Sequence, residues 1–127
     1  MKRIIYTDNA PAPIGPYSQA VEQNGTLFIS GQIPVDPSTS KVVSGGVAEQ
    51  TNQVLKNIQA IITAAGYGND LSKLLKCTIF LNDMSLFADM NAVYGKYFQK
   101  DPPARAAFAV KELPLNVLVE IEAIAMM

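Results

Sequence analysis

The chain has 127 residues, with 10 Lys and Arg against 11 Asp and Glu, a net charge of −1, no His and a single Cys. With 49% apolar and 17% charged residues, it has the composition of a soluble globular protein long enough to bury one core. Absent His excludes Ser-His-Asp and Cys-His dyads and His-ligated metals, and a lone Cys excludes an internal disulfide or a Cys cluster.

Met1-Lys2-Arg3 opens like a secretion signal, but Tyr6-Thr7-Asp8-Asn9 follows after two apolar residues and no hydrophobic segment develops. Apolar runs such as Ala123 to Met127 reach five residues, far below the roughly 20 of a membrane-spanning helix. A cytoplasmic protein without a membrane partner is the expectation. Arg3 to Tyr6 is a short β-prone stretch, followed by a loop from Asn9 to Tyr17 that Pro11, Pro13 and Pro16 stiffen. Ala20 to Gln23 and Thr26 to Ser30 flank Asn24-Gly25, a strong two-residue hairpin signal. Gly31 to Pro34 breaks away from that strand, and Asp36 to Ser40 is turn-rich.

Val47 to Ala65 carries Val54, Leu55, Ile58, Ile61 and Ile62 at helical spacing, with Gly66 placed as a terminating glycine. Leu74 to Leu81 reads as a strand with Leu75, Cys77, Ile79 and Leu81 on one face, and Cys77 as a buried small hydrophobe. Ser85 is the expected cap of a second helix, Leu86 to Phe98, with Leu86, Met90, Val93 and Tyr97 along one stripe. Pro102-Pro103 ends it. Ala104 to Val110 and Val117 to Ala125 are the last strands, with a turn around Pro114. The order β-ββ-α-β-α-β-β predicts an α+β fold, a mixed sheet with two helices on one face. Two helices cannot cover both faces, so association through the other face is expected.

Arg105 stands in the uncharged, small-residue run Ala104 to Val110, sharing a strand face with Ala107 and Ala109. Two readings fit: a five-donor fork open to a carboxylate, or an internal ion pair with Glu120 or Glu122. Glu120 and Glu122 share a face with Leu118 and Ile124, opposite Val119, Ile121 and Ala123. They are either a solvated acidic edge or a half-covered general acid/base, and two close carboxylates would raise one pKa. Tyr17 is core filling or the aromatic wall of a pocket. Gly31, after Ser30 at a strand end, offers an amide to an anion. Asn91 lies beside core positions of the second helix, where a cap or a solvent residue is the commoner role.

Taken together, four ordered blocks carry a resemblance over essentially the whole chain: Ile14-Gly15-Pro16-Tyr17-Ser18-Gln19-Ala20, Ser30-Gly31-Gln32-Ile33-Pro34, Pro103-Ala104-Arg105, and Val119 to Ala125. The chain resembles the reactive-intermediate deaminase family (Rid, or YjgF-type). That resemblance implies one domain over residues 1–127, a chorismate-mutase-like α+β fold, a homotrimer with sites between subunits, and neither cofactor nor metal. It implies hydrolysis of enamine and imine acids, such as 2-aminoacrylate, to 2-keto acids and ammonia. By matching position, Arg105 would clamp the substrate carboxylate and Glu120 would activate water. Tyr17 would line the pocket, Ser30 and Gly31 would frame it, and Asn91 would contribute from the helix. Many members carry Cys two residues after the Arg; here it is Ala107, and a backbone amide contact at that position would survive the change.

Two other functions compete with the deaminase. A non-catalytic trimer that binds 2-keto acids would need Arg105 but not the general base. An endoribonuclease or translation inhibitor is disfavoured by the balanced charge, the lack of a basic stripe and the lack of His.

Overall fold

A computed structural model describes residues 1–127. Its strand pairing follows from where the turns sit. β1 (Arg3–Ile5), β2 (Ala20–Gln23) and β3 (Thr26–Gln32) form an antiparallel meander. Asn24 and Gly25, with φ of 54° and 78°, supply the left-handed pair that a two-residue hairpin turn between β2 and β3 requires. A separate small hairpin, β4 (Val35–Asp36) and β5 (Lys41–Val42), precedes α1 (Val47–Ala64). The chain then forms β6 (Leu74–Leu81), α2 (Phe87–Tyr97), β7 (Ala104–Ala109) and β8 (Val119–Met126). β8 inserts antiparallel between β3 and β6, giving the six-stranded order β1-β2-β3-β8-β6-β7, with β6 and β7 parallel. The sheet is mixed, and α2 is the crossover that a parallel β6–β7 pair requires.

Entry into α1 depends on glycine. Gly45 has φ of 111°, and a Cβ there would lie 2.7 Å from Glu49 Cγ. Glu49 Oε1 in turn accepts a hydrogen bond from the Gly46 N–H at 2.8 Å, satisfying a free donor of the first turn. At the other end Gly66, with φ of 86°, terminates the helix as its position implied. Val54, Leu55, Ile58, Ile61 and Ile62 are fully buried against the sheet, and deleting one such side chain costs about 2–5 kcal/mol. Val119, Ile121, Ala123 and Ala125 of β8 face the same core, so Glu120, Glu122, Ile124 and Met126 fall on the opposite, uncovered face. Ile4, Phe28 and Phe108 are also left about half exposed.

Several local expectations are corrected. β3 does not end at Ser30 but runs to Gln32, because a β-bulge between Ile29 and Gln32 absorbs the break expected at Gly31. A second irregularity between Leu74 and Lys76 puts Leu74 in the core and turns Leu75 outward, whereas Cys77, Ile79 and Leu81 face inward as expected. The cap before the second helix is Asp83, whose carboxylate accepts the Ser85 N–H at 2.8 Å over a single 3₁₀ turn, Met84–Leu86; α2 proper begins at Phe87. Residues 37–40 form the turn of the β4–β5 hairpin, within the stretch expected to be turn-rich.

Candidate active site

The proline-rich loop is held by one buried amide. Gln19 Oε1 accepts the Thr7 N–H at 2.8 Å, and its Nε2 donates to the carbonyls of Thr7, Ala10 and Pro11 at 3.0, 3.3 and 2.9 Å. The loop is thereby fixed at its base while Tyr17 remains half exposed. Ser30 ties the same loop to β3: its Oγ donates to the Ser18 carbonyl at 2.6 Å and its N–H to the Gln19 carbonyl at 2.9 Å. Its hydroxyl hydrogen is therefore already committed to the scaffold.

At the bulge the β3–β8 register skips Ser30 and Gly31, and the Glu120 side chain lies directly over Gly31. A Cβ on Gly31 would overlap Glu120 Oε2 and sit 3.0 Å from Cδ, so glycine is what lets this carboxylate rest on the strand. Burial, and secondarily the neighbouring Glu122 carboxylate, push the Glu120 carboxyl above its ordinary value. Ser30, Gly31 and Glu120 thus meet at the bulge, with Tyr17 one residue before the Ser18 that Ser30 holds, and the group contains a carboxylate with enhanced proton affinity.

Arg105 belongs to a second group. It pairs in register with Cys77, whose side chain faces the helices, and therefore points to the α2 side of the sheet. No carboxylate lies within ion-pair distance of it; the ion pair in the chain is Arg3 with Glu22, at 3.5 Å. Of the two readings of Arg105, the internal ion pair is excluded. Its Nη1 instead donates to Asn91 Oδ1 at 2.6 Å, and its Cζ lies 5.3 Å from the Phe87 ring centroid and 5.0 Å from that of Tyr94. Asn91 is an exposed partner of Arg105 rather than a helix cap. One of five guanidinium donors is occupied, and the other four have no hydrogen-bond partner in the chain. Ala107, in register with Ile79, follows on the same face.

The two groups face apart. Glu120 pairs with Phe80, and both point away from the helices, on the face where Phe108 also lies. Arg105 is two strands away at the sheet edge and on the other side, roughly 10 Å off in the pairing direction alone. Phe87 and Tyr94 are the neighbours of Arg105 that the sequence reading missed. The signal for them was the i, i+4, i+7 spacing of Phe87, Asn91 and Tyr94, which places all three on one helix face.

Cys77 is fully buried, and burial raises its thiol pKa, as befits a core residue. No three His, Cys, Asp or Glu side chains converge as metal ligands would. No helix is long and apolar enough to cross a membrane. A shallow hollow of about 300 Å³ on the uncovered face is lined by Phe28, Ser30, Lys76, Thr78 and Glu122, away from Arg105.

Among known proteins, the chain is 55% identical over 125 residues to a RutC family protein of Pyrococcus horikoshii, covering 98% of each chain. It is 49% identical over 125 residues to the mouse protein named 2-iminobutanoate/2-iminopropanoate deaminase, covering 98% of this chain and 91% of that one. The solved structure of YyfA, a Rid family protein of Yersinia pestis, superposes with a TM-score of 0.94 at 45% identity over the full length of both. A family model described as Endoribonuclease L-PSP matches residues 7–127. With the family blocks in order, the helix-backed mixed sheet and these likenesses, the chain belongs to the Endoribonuclease L-PSP family, which includes the Rid proteins.

Proposed function

We propose that residues 1–127 form one Rid-type domain that hydrolyses 2-imino acids, including the imine tautomer of 2-aminoacrylate, to 2-keto acids and ammonia. The observation that carries this reading is the pairing of chemistries: a guanidinium held without a carboxylate partner, and a half-buried carboxylate with raised proton affinity. Four free donors of Arg105 suit a substrate carboxylate in bidentate geometry. Glu120 takes a proton from water as its oxygen attacks the imine carbon. It returns that proton to nitrogen, giving a carbinolamine, and then passes the new hydroxyl's proton to the amine as the C–N bond breaks, so that ammonia leaves and a 2-keto acid remains. Atoms and charge balance with water as co-reactant. The imine carbon is already electrophilic, so a single acid/base group contributing roughly 10²–10⁴-fold suffices. Tyr17 walls the pocket, Gly31 and Ser30 frame it, and the Ala107 backbone amide takes the place of any thiol contact. The naming of the mouse relative as an imine deaminase supports the same reading.

A three- or four-carbon acid cannot touch Arg105 and Glu120 of one chain through a sheet, so the site joins Arg105 of one copy to Glu120 of the next. A homotrimer packed through the uncovered face, where Ile4, Phe28, Phe108 and Met126 are exposed, fits this arrangement. The free thiol accords with a reducing cytoplasmic setting, and a net charge of −1 with no nucleic-acid partner.

The test generates 2-aminoacrylate in place with a dehydratase and follows pyruvate formation. The protein accelerates it, Arg105→Ala and Glu120→Gln do not, and co-refolding the two variants at equal amounts restores activity to about one quarter of the sites under random assembly. Absence of acceleration by the unmodified protein overturns the deaminase. Retained 2-keto-acid binding by Glu120→Gln with lost turnover separates catalysis from binding.

A further inference from the structure

Phe87, Asn91 and Tyr94 occupy successive turns of one α2 face, and all three meet the same guanidinium. Asn91 fixes its rotation through one short hydrogen bond at 2.6 Å, while the two rings, 5.3 and 5.0 Å from Cζ, fix its position. The lower ring cannot swing away. Tyr94 is buried, packs on Phe98 with centroids 4.5 Å apart, and its hydroxyl has no nitrogen or oxygen partner within the core beside Cys77. An arginine at an exposed sheet edge would otherwise sample many rotamers, and ordering it would weaken every ligand that binds it.

We propose that Phe87, Asn91 and Tyr94 are positioning residues that hold Arg105 in its ligand-binding orientation before a carboxylate arrives, and so set the affinity for anionic substrates without taking part in proton transfer. This rests on the reading of Arg105 as the carboxylate clamp. It gives Asn91 a positioning role through its side-chain oxygen, which is aimed at Arg105. It also predicts an unusual substitution order. In a purely structural role Asp is a near-isostere of Asn and would be tolerated. Here Asn91→Asp gives Arg105 a permanent carboxylate partner that competes with the substrate.

The experiment uses the full chain, with 2-oxobutanoate as the binding probe and imine turnover alongside. Phe87→Leu and Asn91→Ala each raise Kd and KM about tenfold, equivalent to one immobilised side chain, with kcat within about twofold. Asn91→Asp binds more weakly than Asn91→Ala, and Tyr94→Phe, which keeps the ring, stays within about twofold of the unmodified protein. In an Arg105→Ala background the Phe87 and Asn91 substitutions add no further loss. Independently of turnover, the ¹⁵Nε signal of Arg105 is slowly exchanging in the unmodified protein and averaged in Phe87→Leu and Asn91→Ala. Unchanged Arg105 exchange in both variants, or losses that persist undiminished without Arg105, overturns the positioning role whatever the reaction. Arg105→Ala that binds 2-oxobutanoate normally while Arg105 exchange still responds to Phe87 and Asn91 overturns the clamp instead.

Discussion

Replacing Gly31 by Ala separates the position of Glu120 from its chemistry. Gly31 is not among the residues with positive φ, so alanine costs nothing in backbone conformation. Restricting the unfolded chain even favours it by about 0.4–1 kcal/mol. The added Cβ, however, overlaps Glu120 Oε2 and lies 3.0 Å from Cδ and 3.3 Å from Cγ, where ordinary contact begins near 3.4 Å. Relief requires the carboxylate to move by about 1 Å, and a misplacement of that size in a reacting group costs about 10²-fold in rate. That corresponds to ~2.7 kcal/mol of barrier. The stability cost is smaller, because overpacking of about 1–3 kcal/mol is partly offset by the unfolded-state gain. Gly31→Ala should therefore fold, associate and bind 2-oxobutanoate while losing about two orders of magnitude in kcat/KM for the imine. The coupled pyruvate assay measures this, with urea denaturation as the stability control. In a Glu120→Gln background the same substitution should cost little more. A Gly31→Ala protein that keeps kcat/KM within about threefold of the unmodified chain would show that catalysis does not depend on where this carboxylate rests.

Three further outcomes follow from the same geometry. The folded-state pKa of Glu120 is raised above its ordinary value of 4.5, so its contribution favours the fold below that value and is lost as pH rises through the raised one. Glu120→Gln should thus be more stable than the unmodified protein at pH 7 and equal to it at pH 4, while losing about 10²-fold or more in turnover; a lower melting temperature at pH 7 contradicts this. Because Glu122 is the second cause of that shift, Glu122→Gln should move the acid limb of the kcat/KM profile to lower pH, and an unmoved limb removes Glu120 as the titrating base. Gln19→Leu strands the Thr7 N–H and three carbonyls in or near the core, so denaturant unfolding should show a loss of about 2–4 kcal/mol. A change below about 1 kcal/mol would mean that water replaces the amide.

The helix periodicity around Val54 to Ile62, the Asn24-Gly25 hairpin and the alternation of Val119 to Ala125 were legible because each is a local pattern whose period or turn chemistry admits one geometry. Leu75 was misread because a register irregularity changes which residues face inward, and nothing in Leu74-Leu75-Lys76 announces one. Asp83 displaced Ser85 as the cap since both types cap well and only the 3₁₀ turn distinguishes them. At the site, Arg105 and Glu120 stood out by residue type against uncharged surroundings. Their facing apart did not, because it depends on β7 running parallel to β6 and β8 inserting beside it, and both are long-range pairings. The rings beside Arg105 were hidden for a related reason: which stripe of α2 meets the edge strand is decided by packing, and the apolar pattern favoured Met90 and its neighbours.

The opposed placement of Arg105 and Glu120 has a consequence for regulation by amount. On the two-copy reading, an isolated chain is inert by geometry, however well folded. The rate per chain then depends on total protein concentration, falling steeply once dilution passes the dissociation constant of the assembly. A newly made or damaged chain that fails to associate leaves imines untouched. One copy damaged at both residues spoils the sites on both sides of itself: its arginine is missing from one cleft and its glutamate from the next. Abundance and subunit quality, rather than an added inhibitor, are the natural controls on such an enzyme.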